Sequence, residues 1–469
     1  MKRSLVLALV LVLCACSGGT SSSAAHVSPS PASTTKTYSG SIGGAAYSVE
    51  VPAGWNGTLF LYSHGYTAPG RPNPAAAAPD SGIGDWLLAN GNALAASSYR
   101  STGWAIEDAL HDQMALVDWF DANVGQPKRV IAWGGSLGGI ISAGLVQEHP
   151  DRFAGALPLC GVLAGGAGTW NTALDAAYAF KTLLAPQSAL QLVHITSPDT
   201  NLQAAKKVID ALPKTPQTNA RMALVAALTD LPGWFLPTDP EPALTDYAAQ
   251  VVAQTQWESR VDFAFAFSYR AELEKRAGGN PSWNAGVDYR KQLDLSIDRS
   301  EVLALYAAAG LDLQADLAAL NAGATIRPDA AAVDYLQRSI AFDGRLGVPV
   351  LTMHTTGDGL VAPQEETAYA DAVARAGKQD LLRQVFVHRA GHCAFTNAEV
   401  VVLIKALLRR LDTGSWDDSA LAPAAMNAAA TDLGAAANSL GGLIAMAPAF
   451  AAFAPGPYLR PFAKGAKAP

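Results

Sequence analysis

Residues 130–139, VIAWGGSLGG, constrain this chain more than any other stretch: an apolar, β-prone run ends in glycines wrapped around Ser136, and a helical pattern follows at once. Two phosphate-binding readings fail. A dinucleotide turn needs G-x-G-x-x-G, and counting from Gly134 puts Ser136 at its third position; a P-loop needs a lysine beside the Ser/Thr, and none is present. The pattern that fits is G-x-S-x-G, at Gly134, Gly135, Ser136, Leu137 and Gly138, between a strand and a helix as that motif requires. Its glycines let strand and helix approach across a sharp turn in which the central residue takes a strained conformation. The turn lifts the hydroxyl out of the sheet, and the helix N-terminus offers positive potential to an oxyanion beside it.

The surrounding pattern supplies the sheet. TYSGSIGGAAYSVEVP reads as a hairpin about a Gly-Gly turn, and GTLFLYSHGY, NALAASSY, RVIAW and GALPLCG are short apolar runs. Helical patterns separate them: IEDALHDQMALVDWFDANVG puts Ala109, Met114 (or Leu110), Val117 and Phe120 on one face, and SLGGIISAGLVQEHP stops at Pro150. Short strands alternating with helices predict an α/β fold with a mostly parallel sheet, whose ligands bind at the carboxyl ends of the strands. The alternation breaks near residue 165 and resumes near 347 with VPVLTMHTTGD, the helix PQEETAYADAVARAG, the strand LRQVFVH and the helix AEVVVLIKALLRRL. An α/β core over 37–164 and 347–411, with a helical lid inserted at 165–346, accounts for this order. Residues 412–469 form a Gly/Ala/Pro-rich extension read as a strap over core or lid; Pro448 and its glycines argue against a membrane helix.

The N-terminus is expected to stand outside the fold. Residues 1–15 combine Lys2 and Arg3 with an apolar run too short for a permanent span, as in an export signal. Leu13-Cys14-Ala15-Cys16 resembles a bacterial lipobox, which would make Cys16 the lipidated first residue, followed by a flexible tether over 16–36; cleavage with release is the alternative. Apart from that anchor no membrane contact is expected. Export leaves Cys160 and Cys393 in an oxidising compartment, either paired or as separate small hydrophobes. A formal charge of −7 without basic clusters makes nucleic acid a poor partner.

A serine hydroxyl is a weak nucleophile until a base takes its proton, and the base needs an orienting acid. In a G-x-S-x-G fold these follow the serine in the order acid, then histidine. Asp358 lies just past one late strand and His392 just past the next, so Ser136, Asp358 and His392 are the candidate catalytic residues, with Glu365 the substitute acid. His354 and His388 sit within their strands, where they are expected to point away from the loop apex. An oxyanion hole needs two backbone N–H donors; Leu137 and Tyr66 are expected to supply them, with Gly65 next, while His64 braces the loop. No His/Asp/Glu cluster has metal-ligand spacing, so no metal is expected and chelators should leave activity unchanged.

At HGY, GGSLG, TTGD and AGHC the chain resembles the α/β-hydrolases over about residues 38–410. The resemblance implies an eight-stranded sheet, a serine nucleophile and no cofactor. Cys393, directly after the histidine, is similar to the tannase and feruloyl esterase group, in which that cysteine bridges to one beside the nucleophile. Here position 135 is glycine, so the resemblance leaves Cys160 as the available partner and argues against a direct assignment of tannase activity. Lid tryptophans Trp170, Trp234, Trp257 and Trp283 would suit aryl or medium-sized esters as substrates, or else pack the lid's own core. Three functions follow as expectations: an exported carboxylic-ester hydrolase; an exopeptidase similar to lidded prolyl aminopeptidases; and a non-catalytic surface-binding lipoprotein. The exopeptidase would need acids in the lid to hold a free amine, which DPEPALTD or Glu272 and Glu274 could supply.

Overall fold

The structure is a computed structural model that describes residues 35–469; the proposed signal and the lipidation site Cys16 lie outside the described residues. Its sheet contains β1 (Lys36–Ile42), β2 (Ala45–Val51), β3 (Thr58–Ser63), β4 (Ala93–Ser97), β5 (Arg129–Gly135), β6 (Gly155–Leu159), β7 (Val350–Gly357) and β8 (Leu382–Ala390). Their spatial order is β1-β2-β4-β3-β5-β6-β7-β8. β1 and β2 form the expected hairpin, with Gly43 at φ 57° and Gly44 at φ 95° making a turn that β-carbons would oppose. β2 runs antiparallel to β4, and from β4 to β8 every pairing is parallel.

The eight expected strands are joined by a ninth: Phe450–Ala451 pairs antiparallel to β8 and comes from the C-terminal extension. Two residues are too few to show alternation, which is why no sequence pattern marks this strand.

All six residues of β3 and all five of β4 are buried, because helices cover both faces of the sheet. Helices Ile106–Asn123 and Leu137–Glu148 pack on one face through Ala109, Leu110, Phe120, Ile140 and Ile141. Helices Ser81–Ala89 and Asn397–Thr413 pack on the other through Ile83, Leu87, Leu403 and Leu407, against Trp133 and Met353 of the sheet. In the helix Ile106–Asn123 it is Leu110 that is buried, while Met114 only borders the core.

Between β6 and β7 the chain is helical from Gly165–Leu184 through Ala330–Ser339 and builds a second core around Phe180, Leu224, Phe263 and Phe267. The C-terminal extension crosses from the sheet edge to this helical layer. There Arg460 donates to Asp175 and to the Trp283 carbonyl, and the Tyr458 hydroxyl meets Thr172.

The centre of the sheet is tightly packed. A β-carbon at Gly134 or at Gly138 would overlap the Ser63 carbonyl oxygen at the end of β3, so the turn after β5 closes only on glycine. Gly138→Ala is expected to cost about 3 kcal/mol of stability, because the overlapped atom is backbone and cannot rotate away. Denaturant unfolding measures this, and a variant as stable as the parent would contradict it.

Candidate active site

Ser136 stands between β5 and the helix Leu137–Glu148 with φ 59° and ψ −122°, a conformation that costs a non-glycine residue about 1–3 kcal/mol. Surrounding bonds hold it there: its N–H donates to the Leu159 carbonyl at 2.9 Å, and its carbonyl accepts from Gly139 N–H at 2.8 Å. Its side chain makes no capping bond to the helix it begins, so the hydroxyl is not consumed by local structure.

Asp358 follows β7 and is fully buried. Its Oδ1 accepts from the N–H groups of Leu360 and Val361 at 3.1 and 3.0 Å, and its Oδ2 lies 2.7 Å from His392 Nδ1. Burial alone would raise its pKa, but the charge of His392 and hydrogen bonds from His354 and His392 outweigh this and bring it down to about 2. The carboxylate is therefore ionised and aimed at the ring nitrogen that must carry a proton if Nε2 is to be free as a base.

The His392 loop is tied on every side. Arg389 donates to the Ala394 carbonyl and pairs with buried Glu399 at 2.8 Å. Thr396 and Glu399 form a capping box at the start of the helix Asn397–Thr413. Gly391 N–H donates to Gly357, and Thr355 donates to the Gly391 carbonyl. Cys393 is disulfide-bonded to Cys160 at the end of β6, with Cα atoms 5.4 Å apart across 233 residues of sequence. The bridge lies over Gly135, where a β-carbon would sit 3.6 Å from Cys393 Sγ and 3.8 Å from Cys160 Sγ. Both cysteines have positive φ, 41° and 53°, so Ser136 and the bridge share one strained patch.

Ser136, Leu137, Tyr66, Cys160 and His392 border one cavity of about 270 Å³ under the helical layer. Gly65 approaches Ser136, its β-carbon position lying 3.6 Å from Ser136 Cβ. His64 bonds the carbonyls of Gly65 and Ser98 and stacks on Tyr99 with ring centroids 4.1 Å apart, a brace for the loop that carries Tyr66. Trp104, Trp170, Phe265 and Phe395 give the cavity an aromatic lining. Of the four lid tryptophans only Trp170 reaches it. Trp257 packs on Phe235, Trp283 on Phe462 and Trp234 on His388.

Several expectations need correction. Glu272 and Glu274 hold no amine: Glu272 accepts from Trp104 N–H and pairs with Arg276, and Glu274 accepts from the N–H groups of His194 and Ile195. Asp239 and Glu241 of DPEPALTD are exposed, and Glu241 pairs with His388. The lid acids at the cavity are instead Glu258 and Asp262, on a π-helical turn spanning Glu258–Asp262. Both oxygens of Glu258 and one of Asp262 are buried without a partner. Burial pushes Glu258 up to about 8; burial, with the charges of Glu258 and Asp358, raises Asp262. Their spacing of four in WESRVDFAF marks one helical face, the only sequence signal they offered. His354 does not point away from the site either: its ring lies 3.5 Å from Asp358 Oδ2. Glu365 is committed elsewhere, to Ala164 N–H and the Thr169 hydroxyl.

Cys160, His392 and Cys393 place their donor atoms within 4.8 Å of one another, a spacing that suits a metal. The disulfide takes both sulfurs, and His392 is engaged with Asp358, so the set is closed to a cation in this state.

A mostly parallel sheet wound in this order, with a G-x-S-x-G turn at the end of its central strand, is an α/β-hydrolase fold, and the serine hydrolases are the class it points to. Residues 94–188 match the prolyl oligopeptidase family. Over 406 residues the chain is 30% identical to the o-phthalyl amidase of Xanthobacter agilis, covering 80% of this chain and 86% of that one. The chain belongs to the α/β-hydrolase serine hydrolases, in one family with that amidase. Among solved structures, feruloyl esterase B from Aspergillus oryzae is 13% identical, with a TM-score of 0.39 and coverage of 80% and 79%. The acylaminoacyl peptidase of Pyrococcus horikoshii is 10% identical with a TM-score of 0.34; 76% of this chain spans 38% of that longer protein.

Joint replacement of Cys160 and Cys393 by serine is expected to cost about 2–5 kcal/mol of stability. Because the bridge tethers the loop that carries His392, kcat/KM should also fall, by about 10- to 100-fold. Unfolding and hydrolysis measured on the same preparation test both; a stable variant with undiminished turnover would contradict the tether.

Proposed function

We propose that this chain hydrolyses small aromatic esters and amides through an acyl-enzyme on Ser136. The observation that carries the reading is the shared cavity: Ser136 and His392 line one aromatic pocket, and His392 is hydrogen-bonded to buried Asp358 at 2.7 Å. Ser136 Oγ attacks the acyl carbon as His392 Nε2 takes its proton, and Asp358 holds the Nδ1–H and stabilises the imidazolium that forms. The N–H groups of Leu137 and Tyr66 receive the oxyanion, and the end of the helix Leu137–Glu148 adds its positive potential. The imidazolium then protonates the leaving alcohol or amine, and water repeats the sequence on the acyl-enzyme. The relationship to an amidase favours amides as well as esters, and the aromatic wall favours a ring on the acyl side.

A second reading, exopeptidase action, is favoured by one observation: the unpartnered acids Glu258 and Asp262 in the cavity wall are suited to a substrate ammonium. For location, the Cys160–Cys393 bridge supports an oxidising compartment, and with the signal-like residues 1–15 and Cys16 we infer an exported lipoprotein.

The test compares p-nitrophenyl esters of graded length with benzoyl and aminoacyl p-nitroanilides, beside Ser136→Ala. Aromatic esters and amides should be turned over, and the variant should lose at least about 10⁴-fold in kcat. Turnover confined to aminoacyl anilides would replace this reading with the exopeptidase, and turnover that survives in Ser136→Ala would end both.

A further inference from the structure

His354 is fully buried on β7, and among the described residues it is the one histidine with carboxylates at both ring nitrogens. Nδ1 is 3.2 Å from Glu366 Oε1. Nε2 is 2.8 Å from the Val361 carbonyl and 3.5 Å from Asp358 Oδ2. Every one of these partners is an acceptor. A neutral imidazole has a single N–H, so it would turn a lone pair toward an acceptor oxygen in a fully buried site. Glu366 is itself occupied as an acceptor, because its Oε2 takes the Thr352 hydroxyl at 2.6 Å and the Gln384 amide. His64 shows that acceptors alone do not decide the charge: its ring also meets an acceptor at each nitrogen, but both are neutral carbonyls, and there burial lowers the pKa, whereas His354 faces two carboxylates.

We propose that His354 is held as an imidazolium behind Asp358 and is a positioning residue whose fixed positive charge sets the basicity of His392. The proposal rests on the reading of His392 as the base that activates Ser136. A lone buried carboxylate at 2.7 Å would grip the His392 proton and make the ring a slow base near neutral pH. His354 offsets that pull from the far side of the carboxylate, since Asp358 Oδ2 faces His392 on one flank and His354 on the other. It also fixes the acid loop, because its Nε2 bonds the carbonyl of Val361, whose N–H donates to Asp358.

The other charged groups that face this cluster do not change the sign. Glu366, on the helix Gln364–Arg375, is the direct counter-ion. Burial pushes Glu365, on the same helix, up to about 7. Asp262 of the lid, which faces Asp358, is raised by burial first and by the charges of Glu258 and Asp358 second. For His354 itself, burial alone would remove the proton, but the bonds to Asp358 and Glu366 and their charges reverse this and hold its pKa at about 10. The His354 imidazolium therefore sits between the carboxyl groups of Asp358 and Glu366, with His392 on the far side of Asp358.

Replacing His354 with glutamine keeps a hydrogen-bonding side chain and removes the charge. The site becomes more negative, the His392 imidazolium gains stability, and its pKa rises. The acid limb of kcat/KM for an uncharged ester should therefore move to higher pH by about one unit, costing about tenfold in rate at pH values below the limb. A merely structural role would lower kcat/KM without moving the limb. A second measurement does not depend on how the variant folds: ¹⁵N spectra of the native protein should show both ring nitrogens of His354 protonated at pH 8.

An unmoved limb in a folded His354→Gln variant, or a single protonated nitrogen in the native protein, overturns the proposal. Reaction of native protein with a fluorophosphonate reports the underlying reading separately. Labelling at Ser136 together with an unmoved limb removes only the role of His354, and no labelling removes the base assignment and this proposal together.

Discussion

Everything at the centre of this molecule depends on how closely the turn after β5 can approach the end of β3. The Ser63 carbonyl fills the space that β-carbons at positions 134 and 138 would need. With glycine at both, the helix Leu137–Glu148 starts immediately after the strand, and Ser136 is left in a conformation that few non-glycine residues adopt. That strain is carried by the packing of Ile140 and Ile141 and by backbone bonds to Leu159 and Gly139. The serine is thus placed by the sheet rather than by a flexible loop.

The histidine needs equal placement, and its loop is long enough to wander without help. Three kinds of bond prevent this: the Arg389–Glu399 clamp, the capping box at Thr396 and the disulfide to the end of β6. The bridge is the most economical of these, since it joins the strand next to Ser136 to the residue next to His392. A cysteine directly beside the serine would make a similar tether. Here glycine at 135 leaves the room over which the bridge passes.

The sequence was legible where chemistry is local. GGSLG announces its turn because only glycine closes it, and TTGD and AGHC single out Asp358 and His392 because each ends an apolar strand. The sheet could be read from its alternation, except for the two-residue strand at Phe450–Ala451, which has no pattern to read. What could not be read depends on approach between distant segments. Glu272 and Glu274 carry the same carboxyl group as Glu258 and Asp262, and only the path of the lid decides which pair reaches the cavity. The strand position of His354 predicts the face it uses, not the carboxylates that two other segments bring to it.

The central claim is that Ser136 carries the acyl group between the two halves of the reaction. Acid-quenching the enzyme during turnover of a p-nitrophenyl ester, then mapping peptide masses, tests it most directly. The account predicts one added acyl group, on the peptide containing Ser136 and on no other. Steady turnover with that peptide unmodified and the acyl mass elsewhere, or nowhere, would contradict it.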